Sequence, residues 1–127
     1  MSEFVGNIEE LTLAGENFRE VLFTGSHLQL VLMSLLPNED IGVETHSNVD
    51  QFFRFESGEG KVVINGKEYL VKDGSAVVVP AGSEHNIINT SAELPLKIYT
   101  IYSPANHPAG KIHKTREEAM ADEHDHV

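Results

Sequence analysis

The sequence predicts an all-β domain, either a barrel or a sandwich, and three observations lead there. From Phe18 onward the chain runs as short β-prone segments parted by turn residues, at 18–24, 27–36, 41–46, 51–56, 61–65, 67–72, 75–79, 85–89 and 96–102. Seven or more strands at such close spacing are the pattern of a barrel or sandwich. Asn65-Gly66, between "KVVI" and "KEYLV", is a two-residue hairpin signal, because a type I′ turn needs positive φ at both central positions. Finally, 127 residues with 40% hydrophobic and 23% charged content suffice for one substantial core and no second one, so residues 1–127 are expected to form a single domain.

The elements follow in order. Asn7 is a candidate N-cap with Glu10 three residues later, which predicts a short helical turn before the interruption at Gly15-Glu16-Asn17. Gly25, Pro37-Asn38, the run Ser57-Gly58-Glu59-Gly60, Asp73-Gly74 and Pro80 mark the ends of successive strands. Phe53 and Phe55 share a strand face with Gln51 and should line the interior, joined in the expected core by Val63, Ile64, Val77 and Val79. Phe52 and Arg54 fall on the opposite face, which hints at a contact between sheets or between subunits. Tyr99 and Tyr102 lie on opposite faces of the last long strand, so at most one points inward. Thr115 and Glu118 stand in capping-box spacing and predict a short C-terminal helix; the polar tail 122–127 is expected to fray.

Charge and composition remove several function classes. Nine Lys plus Arg against twenty Asp plus Glu give a net charge of −11 with no basic cluster, so a nucleic-acid backbone or an anionic membrane would be repelled. The opening residues lack the basic and apolar regions of a signal peptide, and no apolar run approaches a membrane span; a cytoplasmic location is expected. With no cysteine, disulfides, thiolate metal sites and cysteine nucleophiles are all excluded. Chemistry is left to seven histidines, the carboxylates and the amides.

One constellation concentrates those groups. Gly74, Pro80, Gly82, His85 and Asn89 spell G-x5-P-x-G-x2-H-x3-N, in which Pro80 stops a strand, Gly82 permits a tight reversal and His85 opens the returning strand. This pattern is similar to the second motif of the cupin superfamily. The first cupin motif, G-x5-H-x-H-x(3 or 4)-E-x6-G, is matched in spacing by "NEDIGVETHSNVDQFFRFESG", with Asn38 at its opening Gly, Glu44 at its first His, His46 at its second, Gln51 at its Glu and Gly58 at its final Gly. Asn38 is a mild change, since Asn also tolerates left-handed backbone geometry.

The resemblance spans about residues 18–104 and implies a cupin-type double-stranded β-helix, a jelly-roll barrel, followed by a C-terminal helix and tail over 114–127. In the family three His and one Glu hold a metal ion. Carried onto this chain, the resemblance implies a metal set of Glu44, His46, Gln51 and His85, in which the carboxylate has moved one place and an amide stands at its old position. Two histidines and one carboxylate suit Fe(II) and related ions, so the expected cofactor is one divalent transition metal, Fe, Mn, Ni or Zn. Glu44 is open to two readings, metal ligand or catalytic general base, and Asn48 is a reserve ligand if the local register slips. His27, His107 and His113 have no motif partner and read as structural or exposed; His124 and His126 could bind metal adventitiously.

Two functions compete. One is a metal-dependent enzyme acting on a small oxygen-bearing substrate inside the barrel, either an isomerase of sugar phosphates similar to mannose-6-phosphate isomerase or an oxygenase. The other is a non-catalytic module that binds a small ligand or only a metal. A sugar phosphate calls for cationic contacts, for which Arg54, Lys97 and Lys111 are the candidates. The resemblance further implies a homodimer.

Overall fold

The computed structural model describes residues 2–122 and 124–126. Ten strands build two antiparallel sheets: β1 (Arg19–Thr24), β2 (Gln29–Leu35), β3 (Glu44–Thr45), β4 (Asp50–Ser57), β5 (Glu59–Ile64), β6 (Lys67–Lys72), β7 (Ala76–Val79), β8 (Glu84–Asn89), β9 (Leu96–Ser103) and β10 (Ile112–His113). The six-stranded sheet has the order β10-β1-β2-β9-β4-β7 and the four-stranded sheet the order β3-β8-β5-β6. Sequence neighbours often sit in different sheets, as in a jelly roll, so the two layers are wound from one alternating chain.

Period-two alternation decides what enters the space between the sheets. On β9 the buried positions are Leu96, Ile98, Thr100 and Tyr102, with Lys97, Tyr99 and Ile101 turned outward. On β4 Phe53 and Phe55 are fully buried and stack at 6.4 Å between ring centroids. Tyr102 is thus the inward tyrosine, while half-buried Phe52 packs against Tyr99 at 6.2 Å on the outer face. One expected core residue is corrected. Val63 faces outward and Val62 takes its place, because β5 starts at Glu59 and alternation then carries Gly60, Val62 and Ile64 inward.

The turns behave as their residues require. Asn65 and Gly66 close the β5–β6 hairpin at φ 49° and 81°. Gly58 sits at φ 108°, where an added Cβ would lie 2.7 Å from the Pro95 carbonyl oxygen; only glycine fits. The expected strand over 41–46 shrinks to Glu44–Thr45, because Gly42 turns the chain at φ 89° just before it.

Two short helices flank the sheets. Helix α1 (Ile8–Ala14) is capped by Asn7, whose side chain accepts the Glu10 N–H at 3.0 Å, and it lies along β2, β4 and β9. Helix α2 (Arg116–Ala121) is capped by Thr115, which accepts the Glu118 N–H at 3.1 Å. Arg116 ties α2 to the loop before β3 by donating to the Asp40 carbonyl at 2.8 Å and to its carboxylate at 2.9 Å.

The largest departure from expectation is the C-terminus. Asp125 is buried, and its carboxylate pairs with Arg19 at 3.1 Å. The cause lies in β1, where alternation aims Arg19 into the interior with Val21 and so creates a buried cation that needs an anion. Strand β10 also escaped the sequence reading, being only a two-residue edge, Ile112–His113, that pairs with Glu20 and Arg19.

Candidate functional site

The turn at Pro80 positions the site. Pro80 ends β7, Gly82 reverses the chain at φ 86°, and β8 begins two residues later. The Gly82 N–H donates to the His46 carbonyl at 2.8 Å, and the Ala81 N–H donates to the Asp50 carboxylate at 2.8 Å. The turn that leads into His85 is therefore stitched to the loop that carries His46. In the ladder between β3 and β8, Glu44 stands directly opposite His85. Gln51 enters from the other sheet, inward on β4 and opposite Tyr102 on β9.

These placements bring the carboxylate and the two imidazoles together. One ligand-competent atom each of Glu44, His46 and His85 lies within 4.8 Å of the others. The His85 Nδ1 is 3.1 Å from the Ser83 carbonyl, which can only accept, so Nδ1 carries the hydrogen and Nε2 holds the lone pair. That Nε2 is buried and has no hydrogen-bond partner. The His46 Nε2 lies 2.9 Å from the Glu44 carboxylate, yet it too makes no aligned hydrogen bond.

Gln51 is oriented by a one-way chain of donors. The Thr100 hydroxyl donates to the Phe52 carbonyl at 2.8 Å, so its oxygen is left to accept, and the Gln51 amide nitrogen donates to it at 3.0 Å. The amide oxygen of Gln51 then remains buried without a partner. Unpartnered buried polar atoms are rare and costly. Three of them, on His46, His85 and Gln51, belong to the residues singled out by the sequence. That is the donor set a cation would satisfy.

Electrostatics favour an ionised Glu44 and a neutral His85. Burial works to raise the Glu44 pKa, but close contact with His46 and the charges of His46, Arg19 and His126 outweigh it, and the carboxyl is held below its usual range. Burial lowers the His85 pKa, only partly offset by the Ser83 carbonyl, so its ring stays neutral. A cavity of about 470 Å³ opens beside these groups, lined by Glu44, His46, Ser47, Asn48, Asn106 and His126 among others. The reserve candidate Asn48 is exposed on this rim.

The candidate cations do not reach the cavity. Arg54 pairs with Glu56 at 2.7 Å, Lys111 pairs with Asp122 at 2.7 Å, and Lys97 donates to the Gly15 carbonyl. Around the site, sequence reasoning left Tyr102 as one of two tyrosines of which at most one points inward, and missed Arg19, Asp125, Asn106 and the link of His107 to Asp125. Gln29 holds two of them, accepting the Asn106 and His107 N–H groups at 3.1 and 3.0 Å and donating to the His107 carbonyl at 2.7 Å. His107 and His113 are buried, and their ligand atoms gather within 4.8 Å of those of Asp125 and His126 and of Asp122 and Asp125 respectively; His27 is exposed. No residue spacing linked Asn106 or Asp125 to the motifs, since their contacts are made by a turn and a tail rather than a strand.

Comparison with known proteins gives this arrangement a family. A family model described as the cupin domain matches residues 31–102. The chain is 51% identical over 94% of its length to an uncharacterized protein, YrkC, of Bacillus subtilis (strain 168), of which it covers 67%. It is 44% identical over 91% of its length to an uncharacterized protein, L612, of Acanthamoeba polyphaga mimivirus, of which it covers 74%. Among solved structures, BH2720 from Bacillus halodurans superimposes with a TM-score of 0.92 at 44% identity, over 95% of this chain and 96% of that one. A domain match over more than half of the sequence, joined to a fold shared almost end to end with BH2720, shows that this chain belongs to the cupin family.

Proposed function

We propose that the protein is a metal-dependent cupin enzyme acting on a small oxygen-bearing substrate at the mouth of the barrel. One observation carries the reading: the His46 Nε2 and the Glu44 carboxylate oxygen face each other at 2.9 Å without the alignment of a hydrogen bond, beside the orphaned His85 Nε2 and Gln51 oxygen. With His46 neutral and its Nε2 lone pair turned to the Glu44 oxygen, a cation bound by both would relieve their repulsion and satisfy the two orphaned atoms beside them. Glu44, His46 and His85 would hold the ion, with the Gln51 amide oxygen as a weaker fourth ligand. A divalent transition metal bound there, Fe, Mn, Ni or Zn, supplies Lewis-acid polarisation of a substrate oxygen.

The chain's own residues divide the remaining work. Asn48, Ser47 and Asn106 offer neutral hydrogen-bond donors on the cavity rim, suited to orienting hydroxyl or carbonyl oxygens. Glu44 is ionised; where it does not serve as a ligand, it is the group placed to take a proton from substrate. Among the described residues no Lys or Arg lines the cavity, so a phosphate ester would find no cationic clamp. This favours the oxygenase-like reading over the sugar-phosphate isomerase. A cytoplasmic homodimer, of which the resemblance implies the dimer, is part of the same proposal; sedimentation equilibrium measures the dimer.

Elemental analysis of untagged protein purified without chelator tests the site. One divalent transition metal per chain is expected, retained when His124 and His126 are both changed to Ala and lost in His46→Ala with His85→Ala. Point substitution is preferable to removing the tail, because Asp125 neutralises buried Arg19. Turnover on keto acids, sugar phosphates and catechols then follows. Metal that disappears with His124 and His126 overturns the reading, and bound metal without turnover on any class leaves a metal-binding module.

A further inference from the structure

The buried cluster of Arg19, His107 and Asp125 lies outside the proposed ligand set, yet its chain neighbours Asn106 and His126 line the same cavity. Arg19 is 2% exposed and donates to Asp125 at 3.1 Å. The His107 Nδ1 lies 2.9 Å from the Asp125 carboxylate and 2.8 Å from its carbonyl. Both partners only accept, so Nδ1 carries the hydrogen and Nε2 is left to accept from the Tyr102 hydroxyl at 3.1 Å. Asp122 adds a second anchor through His113 at 2.9 Å and Lys111 at 2.7 Å.

The anchor has a geometric result. The residue after Asp125 is His126, whose ring is exposed at the cavity mouth, 5.2 Å from the His107 ring and 6.2 Å from the His46 ring. His46 itself, on the other side of that contact, keeps only 9% of its side chain accessible. The tail is thus fixed at one buried residue and presents the next one to the site.

We propose that the chain end is the outer wall of the site, with Asp125 as the positioning residue that sets His126 across the mouth and so controls access to His46. The location of the site rests on the function proposed above, but the wall itself does not depend on a bound metal. Among the described residues Asp125 is the acid that pairs with both Arg19 and His107, and leaving Arg19 buried without it would cost more than an exposed tail contact could return. The anchor is therefore strong and specific, whereas among the described residues exposed His126 stands in ring contact with His46 and His107.

The test uses the full chain in its apo form and reads the rate of His46 carbethoxylation by diethylpyrocarbonate, site by site, by mass spectrometry. Three proteins are compared with wild type: His126→Ala, Asp125→Asn, and Arg19→Met with Asp125→Asn, which removes the anchor without stranding a buried cation. His46 should react severalfold faster in all three, with the double variant retaining the wild-type circular dichroism. Equal His46 rates in wild type, His126→Ala and the folded double variant would overturn the wall. A second arm loads Mn(II) and measures uptake and EDTA extraction, which should both accelerate in His126→Ala with the dissociation constant unchanged. Faster extraction at unchanged uptake, and hence a weakened constant, would make His126 a ligand and overturn the proposal. Failure of wild type to bind Mn(II) would count against the proposed function alone, since the modification arm needs no metal.

Discussion

At the scale of single residues, Gln51 carries an amide at the position where the motif it resembles has a carboxylate. Its amide nitrogen is claimed by Thr100 and its oxygen is the orphan, so the side chain is poised to give a neutral oxygen to an ion. Gln51→Glu would replace that oxygen with a charged one, and Mn(II) should bind more tightly; Gln51→Leu should bind it more weakly, though less so than after loss of either histidine. Thr100→Val removes the acceptor that fixes the amide and should weaken binding in the same direction as Gln51→Leu. Isothermal titration of the apo proteins at fixed pH measures all three, and equal affinities would place Gln51 outside the ligand set. The residues of this set were legible because strand alternation and motif spacing both act over a few positions. Tyr102 was legible only as one of two tyrosines on opposite faces, and the register opposite Gln51 decided which.

At the scale of elements, the turns carry much of the specification. Gly58 joins β4 to β5 at a positive φ, against the Pro95 carbonyl, so Gly58→Ala combines backbone strain with a close contact. A loss of about 1–3 kcal/mol is expected from the strain alone, read as a lower urea midpoint with unchanged slope; an unchanged midpoint would show that the turn can relax. The nine β-prone segments and both caps were readable because turn chemistry and capping act locally. Val63 was misplaced because two adjacent residues cannot both face inward on one strand, and the start of β5 at Glu59 chose Val62. Strand β10 was invisible for a different reason: it is held in place by its pairing with β1.

At the scale of the whole molecule, the tail turns local charge into acid sensitivity. Burial depresses the His107 pKa below 6.5, the Asp125 hydrogen bond offsets only part of this, and Arg19 adds to the depression; Tyr102 and His126 complete the groups around the ring. The unfolded chain therefore takes that proton first, so this contribution is whole above pH 6.5 and declines as pH falls through it toward the folded value. Burial of His85 works in the same direction. Asp125 is pushed up by burial but pulled further down by His107, Arg19 and His113, so a second loss begins only as pH falls below 3.8. Urea midpoints should drop between about pH 7.5 and 5.5, and His107→Gln should flatten part of that drop. A wild-type profile flat across that interval would contradict the assignment. The tail could not be read from the sequence, because a polar hexapeptide looks frayed until Arg19, more than a hundred positions away, is known to face inward. One last property follows from where the candidate ligands originate: Glu44 and His85 belong to the four-stranded sheet and Gln51 to the six-stranded one. An ion gripped by all of them would act as a rivet between two leaves that otherwise adhere through side-chain packing, and would damp their breathing. Amide hydrogen exchange should then slow together in β4 and β8 on adding Mn(II), while β6, at the edge of the four-stranded sheet away from β3, keeps its apo rates.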